Sequence, residues 1–249
     1  MKNSQTLDLF LDGKLKIYQL EKGYRAGHDS VLLASSIKAK EGDICLELGF
    51  GTGVVSLCLA KRVSGLTIIG IDNNKEMLEI SKKNINLNNS NKIIEVFNYD
   101  IEKKASLIKS INRQKFDHVY ANPPYFLKEN LPKPINNNKK SANIGNKRTI
   151  ELWLKKALTY SKSGGSITFI NHIDNLPELL FLFSKKLGDI EVTPIFPKKN
   201  KKASRFIISG RRDSKKPLAF NEGLILNDNN NKMTKKIDRI LRDGIGFNH

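Results

Sequence analysis

A chain of 249 residues, 39% of them apolar, is long enough for one substantial core and a small appendage, which excludes an assembly of several large domains. Its 43 lysines and arginines outnumber 25 aspartates and glutamates, a formal net charge of +18 that argues for a polyanionic partner, nucleic acid before a membrane surface. Asparagine-lysine tracts such as "INLNNSNK" and "NDNNNK" carry a compositional bias that accounts for part of that excess. Cys45 and Cys58 stand in apolar segments without metal-type spacing and the four histidines are scattered, so free thiols in a reducing cytoplasm, without a structural metal, are expected. The opening "MKNSQTLDLF" has no signal-type apolar run, and no stretch approaches membrane-spanning length.

In chain order, "LDLFLDGKLKIYQL" alternates apolar and polar residues on both sides of Asp12-Gly13, which predicts a hairpin. "GYRAGHDSVLLASSI" opens a short apolar helix at His28 or Asp29. From there "ICLEL" predicts a buried strand, "VVSLCLAKRV" a helix, "LTIIGID" a strand and "NKEMLEISKKNINLN" a long amphipathic helix. "KIIEVFN" is a third strand, 101–111 a helix and "FDHVYAN" a fourth strand. Residues 126–148 are polar, rich in lysine and asparagine, and read as a mobile loop. "TIELWLKKALTYS" resumes a helix, with Thr149 as its cap and Trp153 facing the core. "GGSITFIN" is a fifth strand and "LPELLFLFSKKL" a helix with the phenylalanines of "FLF" in the core. "DIEVTPIF" and "SRFIISGRR" form a closing pair of strands, and "MTKKIDRILRDG" a short terminal helix. No internal repeat is visible. Strands alternating with helices imply a mostly parallel sheet covered on both faces.

Chemistry-bearing residues fall at the strand ends. "LELGFGTGVVSL" places Gly49, Gly51 and Gly53 between a strand and a helix, where glycine lets the backbone turn sharply and approach a ligand closely. A dinucleotide fingerprint would need glycine at position 54, where Val54 stands. The shorter spacing, preceded by acidic Glu47, suits S-adenosylmethionine, whose amino-acid end is zwitterionic and needs no pyrophosphate cradle. Asp72 ends the second strand, where a carboxylate can accept from both ribose hydroxyls, with Asn73 beside it. Asp100 ends the third strand and could accept from an adenine amino group, with Ile101 packing on that ring. At the fourth strand end stands Asn122-Pro123-Pro124-Tyr125. The Asn122 side-chain oxygen and the Pro123 carbonyl can each accept one hydrogen of an NH2 whose lone pair is delocalised, and so favour attack by that nitrogen. The prolines preset the turn, and Tyr125 offers a flat face for a planar substrate.

This order of motifs resembles the amino-methyltransferases of the class I S-adenosylmethionine-dependent fold. Within that group the chain resembles the tRNA1(Val) (adenine-N6)-methyltransferase family over about 7–225, through "LDGKLKIYQLEKGYRAGHDSVLLASSI", "NPPYF" and "KKASRFIISGRRDSKKPL". Ala26, His28 and Ser30 depart from the family's usual "GYRFGTDAVLLAA". The resemblance implies an α/β, Rossmann-like domain at 28–225 with a seven-stranded, mostly parallel sheet, a hairpin extension at 1–27 and a tail with a short helix at 226–249. It implies methyl transfer to the N6 of an anticodon-loop adenosine in a tRNA, by direct displacement without a metal, in a cytoplasmic protein read as a monomer. The cofactor residues would be Glu47, Gly49, Gly51, Gly53, Asp72, Asn73, Asp100, Ile101 and Asn122. Asn122, Pro123, Pro124 and Tyr125 would be catalytic, and Tyr125, Phe126, Lys128, Arg148, Lys201 and Arg205 would meet the substrate. Alternatives are a release-factor glutamine-N5 methyltransferase, an enzyme acting on ribosomal RNA or DNA adenine, and a noncatalytic RNA-binding module.

Overall fold

The computed structural model describes residues 4–23, 25–102, 115–123 and 139–247, with the backbone alone over 139–148. The chain opens with β1 (Gln5–Phe10) and β2 (Leu15–Leu20), an antiparallel pair forming its own two-stranded sheet. Leu11, Asp12 and Gly13 turn it with three successive positive φ angles of 51°, 55° and 81°. There follow α1 (His28–Ser36), β3 (Ile44–Leu48), α2 (Val54–Arg62), β4 (Thr67–Asp72), α3 (Lys75–Leu87), β5 (Ile94–Asn98) and β6 (Phe116–Ala121). The second half contains α4 (Lys139–Tyr160), β7 (Ser161–His172), α5 (Leu176–Ser184), β8 (Leu187–Lys198), β9 (Arg205–Arg212), β10 (Ala219–Phe220), β11 (Leu224–Asn227) and α6 (Lys235–Asp243).

The main sheet runs β10-β8-β9-β7-β6-β3-β4-β5, with β11 also paired to β8. β3 to β7 pair parallel with one another, and β9 is antiparallel to both β7 and β8. The seven expected strands are all present. Strand order reverses between β3 and β6, which makes the carboxyl ends of those two strands a topological switch point, where open α/β sheets bind ligands. Two cores cover the two faces. Ile17 of β2, Leu32 and Leu33 of α1, Leu57 and Leu59 of α2, and Ile237 and Ile240 of α6 fill one. Trp153, Leu154 and Ala157 of α4 join Leu179 and Phe183 of α5 in the other, where Phe183 meets Phe169 edge to face at 5.7 Å. Cys45 and Cys58 are buried free thiols, and burial pushes each up to about 12.

The expected loop, its helix cap and one phenylalanine need correction. Of the loop read at 126–148, residues 139–148 belong to α4, so Thr149 lies inside that helix rather than capping it. Once Ile150, Trp153 and Ala157 dock on the sheet, extending the helix backwards adds one bond per residue with no new nucleus, which outweighs the weak propensities of the asparagines and of Gly145. Of the "FLF" phenylalanines only Phe183 is core; Phe181 is 54% exposed, with the Lys185 ammonium 3.9 Å from its ring centre. β10 and β11 add to the sheet beside β8, each too short to show a period. The helix expected at 101–111 lies outside the described residues from 103 on, and 126–138 lies wholly outside them. Among the described residues no helix is long and apolar enough to cross a membrane.

Candidate active site

Backbone bonds tie the tips of β3, β4 and β5 together. The amides of Gly49 and Phe50, just past β3, both donate to the Ile71 carbonyl on β4 at 2.9 Å, and Tyr99, just past β5, donates to the Asp72 carbonyl at 2.9 Å. The glycine turn closes on itself where Gly53 N donates to the Phe50 carbonyl at 2.9 Å. Phe50 folds back under the turn against Gly70, where a Cβ would lie 2.1 Å from its ring. Gly49 and Gly51 have φ of 70° and 54°, a region that favours glycine. At Gly49 an added Cβ would sit 2.5 Å from the Trp153 indole; at Gly51 it would enter open space.

That space is a cavity of about 370 Å³ lined by Gly49, Gly51, Asp72, Asn73, Asn122 and Ile101 among the expected residues, together with Ile71, Asn74, Met77, Tyr99 and Trp153. The Asp72 carboxylate stands between turn and helix. One oxygen accepts from Gly51 N and the other from Asn74 N, each at 2.8 Å. Each keeps a free lone pair for a ligand hydroxyl. Asn74 caps α3, its side chain accepting from the amides of Glu76 and Met77. Tyr99 forms a wall braced from behind, its hydroxyl accepting from Lys156 Nζ at 3.0 Å. Asn122 reaches the cavity from the end of β6, with Pro123 buried beside it.

Not every expected residue lines this cavity. Gly53, at φ 85°, is the residue from which α2 starts. Asp100 sits between Tyr99 and Ile101 and accepts from Glu102 N at 2.9 Å. Glu47 is buried beneath α2, where Ser56 Oγ donates to its carboxylate at 2.5 Å and lies 2.7 Å from the Tyr120 hydroxyl. Burial pushes the Glu47 carboxyl up to about 8. Lys201 and Arg205 lie at the β8–β9 hairpin, and Arg205 pairs with Asp29 at 3.2 Å. Pro124, Tyr125, Phe126 and Lys128 fall outside the described residues, as does the side chain of Arg148. Sequence reading missed Tyr99 and Met77, and placed Trp153 in the core without its second role. The available signal was adjacency: Tyr99 precedes Asp100, and Trp153 lies in the first helix described after Asn122.

A parallel sheet with reversed order at its centre, a glycine turn and an acid at successive tips, and an antiparallel seventh strand define the class I methyltransferase fold. Residues 25–171 match the family described as methyltransferase small domain, and the chain belongs to that family. Over 185 residues it is 25% identical to a tRNA1(Val) (adenine(37)-N6)-methyltransferase of Trichodesmium erythraeum, covering 70% of this chain and 74% of that one. Over 112 residues it is 33% identical to a putative protein N5-glutamine methyltransferase of Methanocaldococcus jannaschii, covering 45% of this chain and 51% of the relative, so that match spans about half the relative's length. A solved structure described as a predicted O-methyltransferase from Agrobacterium tumefaciens superposes with a TM-score of 0.70 at 23% identity, covering 88% of this chain and 97% of the other. That likeness shows the fold.

Proposed function

We propose that this protein is an S-adenosylmethionine-dependent methyltransferase that modifies the exocyclic N6 of an adenosine in the anticodon loop of a tRNA of the tRNA1(Val) kind. One observation carries the reading: the glycine turn, Asp72 and Asn122 line a single cavity. The residues fit the cofactor. Gly51 leaves room that a Cβ would fill, Asp72 offers two lone pairs to a ribose diol, and Tyr99, Ile101 and Trp153 supply flat or apolar walls for a purine. When bound, S-adenosylmethionine supplies a methyl group on a positively charged sulfur, which a nitrogen lone pair displaces in line.

The chain's own part is alignment and electrostatics. Asn122 Oδ1 and the Pro123 carbonyl accept the two hydrogens of the amino group, turning its lone pair toward the methyl donor and stabilising the positive charge that grows on nitrogen. The methylated nitrogen then sheds a proton to solvent, so no strong base is required. Tyr125 and Phe126 hold the base face and rim in this proposal, and a loop base, already partly unstacked, costs less to swing in than a duplex base. Lys128, Arg148, Lys201 and Arg205 neutralise phosphates around the entrance. Register supports the last two: Arg205 pairs with His172 at the end of β7 and with Ile195 near the end of β8, so the 199–204 connection emerges from the same sheet edge as Asn122. Arg205 would serve there while paired to Asp29.

The relative from M. jannaschii favours a second reading, transfer to a glutamine amide, for which the same two acceptors would serve. Offering labelled S-adenosylmethionine with unmodified tRNA, ribosomal RNA and release factor side by side separates them. N6-methyladenosine in tRNA is expected; label in release factor alone would overturn the proposal.

A further inference from the structure

One face of α3 meets the N-terminal hairpin through two asparagines a turn apart, Asn84 within the helix and Asn88 at its C-cap. Their amides pair with β2 as a neighbouring strand would. Asn88 Oδ1 accepts from Lys16 N at 3.0 Å, and its Nδ2 donates to the Lys16 carbonyl at 2.8 Å. Asn84 repeats the pattern on Tyr18, accepting from its amide at 2.7 Å and donating to its carbonyl at 3.0 Å. The spacings match, because four residues of helix and two of strand both advance about 6–7 Å.

Asn84 has one hydrogen left, and it goes to the turn. Its Nδ2 donates to the Thr52 carbonyl at 2.9 Å. Thr52 follows Gly51, whose amide is held by Asp72, so side chains from α3 and β4 fix the peptide units on either side of the Gly51–Thr52 link in the glycine turn. Asn84 is fully buried, which makes each of these bonds costly to lose. One acceptor and two donors on a short stem are what the three partners demand. Aspartate lacks the donors, glutamine adds a methylene, and an apolar residue would leave three backbone groups without this partner, the buried Thr52 carbonyl among them.

We propose that Asn84 is a positioning residue for the cofactor turn, holding the Thr52 peptide with the same amide that anchors the β1–β2 hairpin. This rests on reading the cavity as an S-adenosylmethionine site. Asn88 provides the internal control, since it holds the hairpin without touching the turn.

The test is calorimetric titration of the full chain with S-adenosylmethionine, alongside methylation kinetics on tRNA and thermal unfolding, for the wild type, Asn84→Ala, Asn84→Asp and Asn88→Ala. Asn84→Asp keeps the shape and the bond from Tyr18 N, which guards against simple misfolding of the alanine variant. Both Asn84 variants should weaken cofactor binding by about tenfold while kcat at saturating cofactor stays within about twofold. Asn88→Ala should lower the melting temperature and leave cofactor affinity unchanged. Equal affinity in the wild type and the Asn84 variants would overturn the proposal, as would an equal loss in Asn88→Ala. A wild type that binds no S-adenosylmethionine would instead bring down the cavity reading, and this inference with it.

Discussion

Replacing Asp72 with asparagine probes how the tip of β4 serves the cofactor. The carboxylate accepts two backbone amides at 2.8 Å, Gly51 N and Asn74 N, one on each oxygen. An amide retains one acceptor, and its NH2 would face the other backbone donor. The lost bond is charge-assisted, worth about 1.5–3 kcal/mol, and the donor left against a donor adds to it. The ribose hydroxyls lose an acceptor on the same side. Because Gly51 N positions the turn that lines the cavity, most of this should appear in binding, as a 10- to 100-fold rise in the dissociation constant for S-adenosylmethionine, at about 1.4 kcal/mol per tenfold. Isothermal titration measures it directly, with S-adenosylhomocysteine as a second ligand. Methylation at saturating cofactor should persist, since Asp72 does not contact the accepting nitrogen in this account. An affinity within about twofold of wild type would refute the role given to the carboxylate.

Asn122→Ala should lower kcat by about 100-fold or more, with cofactor affinity little changed, because one of two preset acceptors is gone; parallel loss of both in titration and turnover would contradict the assignment. Gly49→Ala should destabilise the fold by about 2–5 kcal/mol, combining a left-handed φ with overpacking against Trp153, and Trp153→Leu in that background should recover part of it in denaturant unfolding. A loss below about 1 kcal/mol would mean the turn yields easily. Burial raises the Glu47 carboxyl from 4.5 to about 8, so the native chain holds a proton that the unfolded chain releases. Its contribution is therefore fully present below 4.5 and is lost as pH rises toward about 8, at up to about 1.4 kcal/mol per unit. Glu47→Gln removes that slope, so its unfolding free energy relative to wild type should climb across the window; a flat difference would contradict the buried, protonated acid.

The strands were legible because β3, β4, β6 and β7 are buried along most of their length and read as apolar runs bounded by turns. The glycine turn, Asp72 and Asn122 could be placed at strand ends because spacing alone sets those positions, without reference to side-chain contacts. What escaped reading depended on tertiary partners. The start of α4 is set by docking of its second half rather than by local propensity. Asn88 lies in a tract that composition alone marks as bias, yet it pairs with β2, and nothing local distinguishes it from Asn86 or Asn91. Glu47 reads as a ligand-side acid from its place before the glycines, whereas strand alternation turns it under α2 toward Ser56. Trp153 shows how one side chain serves two ends: it fills the core beneath α4 and fixes Gly49 as glycine.

A crystal structure of the chain soaked with S-adenosylhomocysteine tests most directly whether donor and acceptor meet at the switch point. The ligand should lie across Gly49 and Gly51, with its ribose on Asp72 and its sulfur turned toward Asn122. Density at another surface, or a sulfur pointing away from Asn122, would contradict the account.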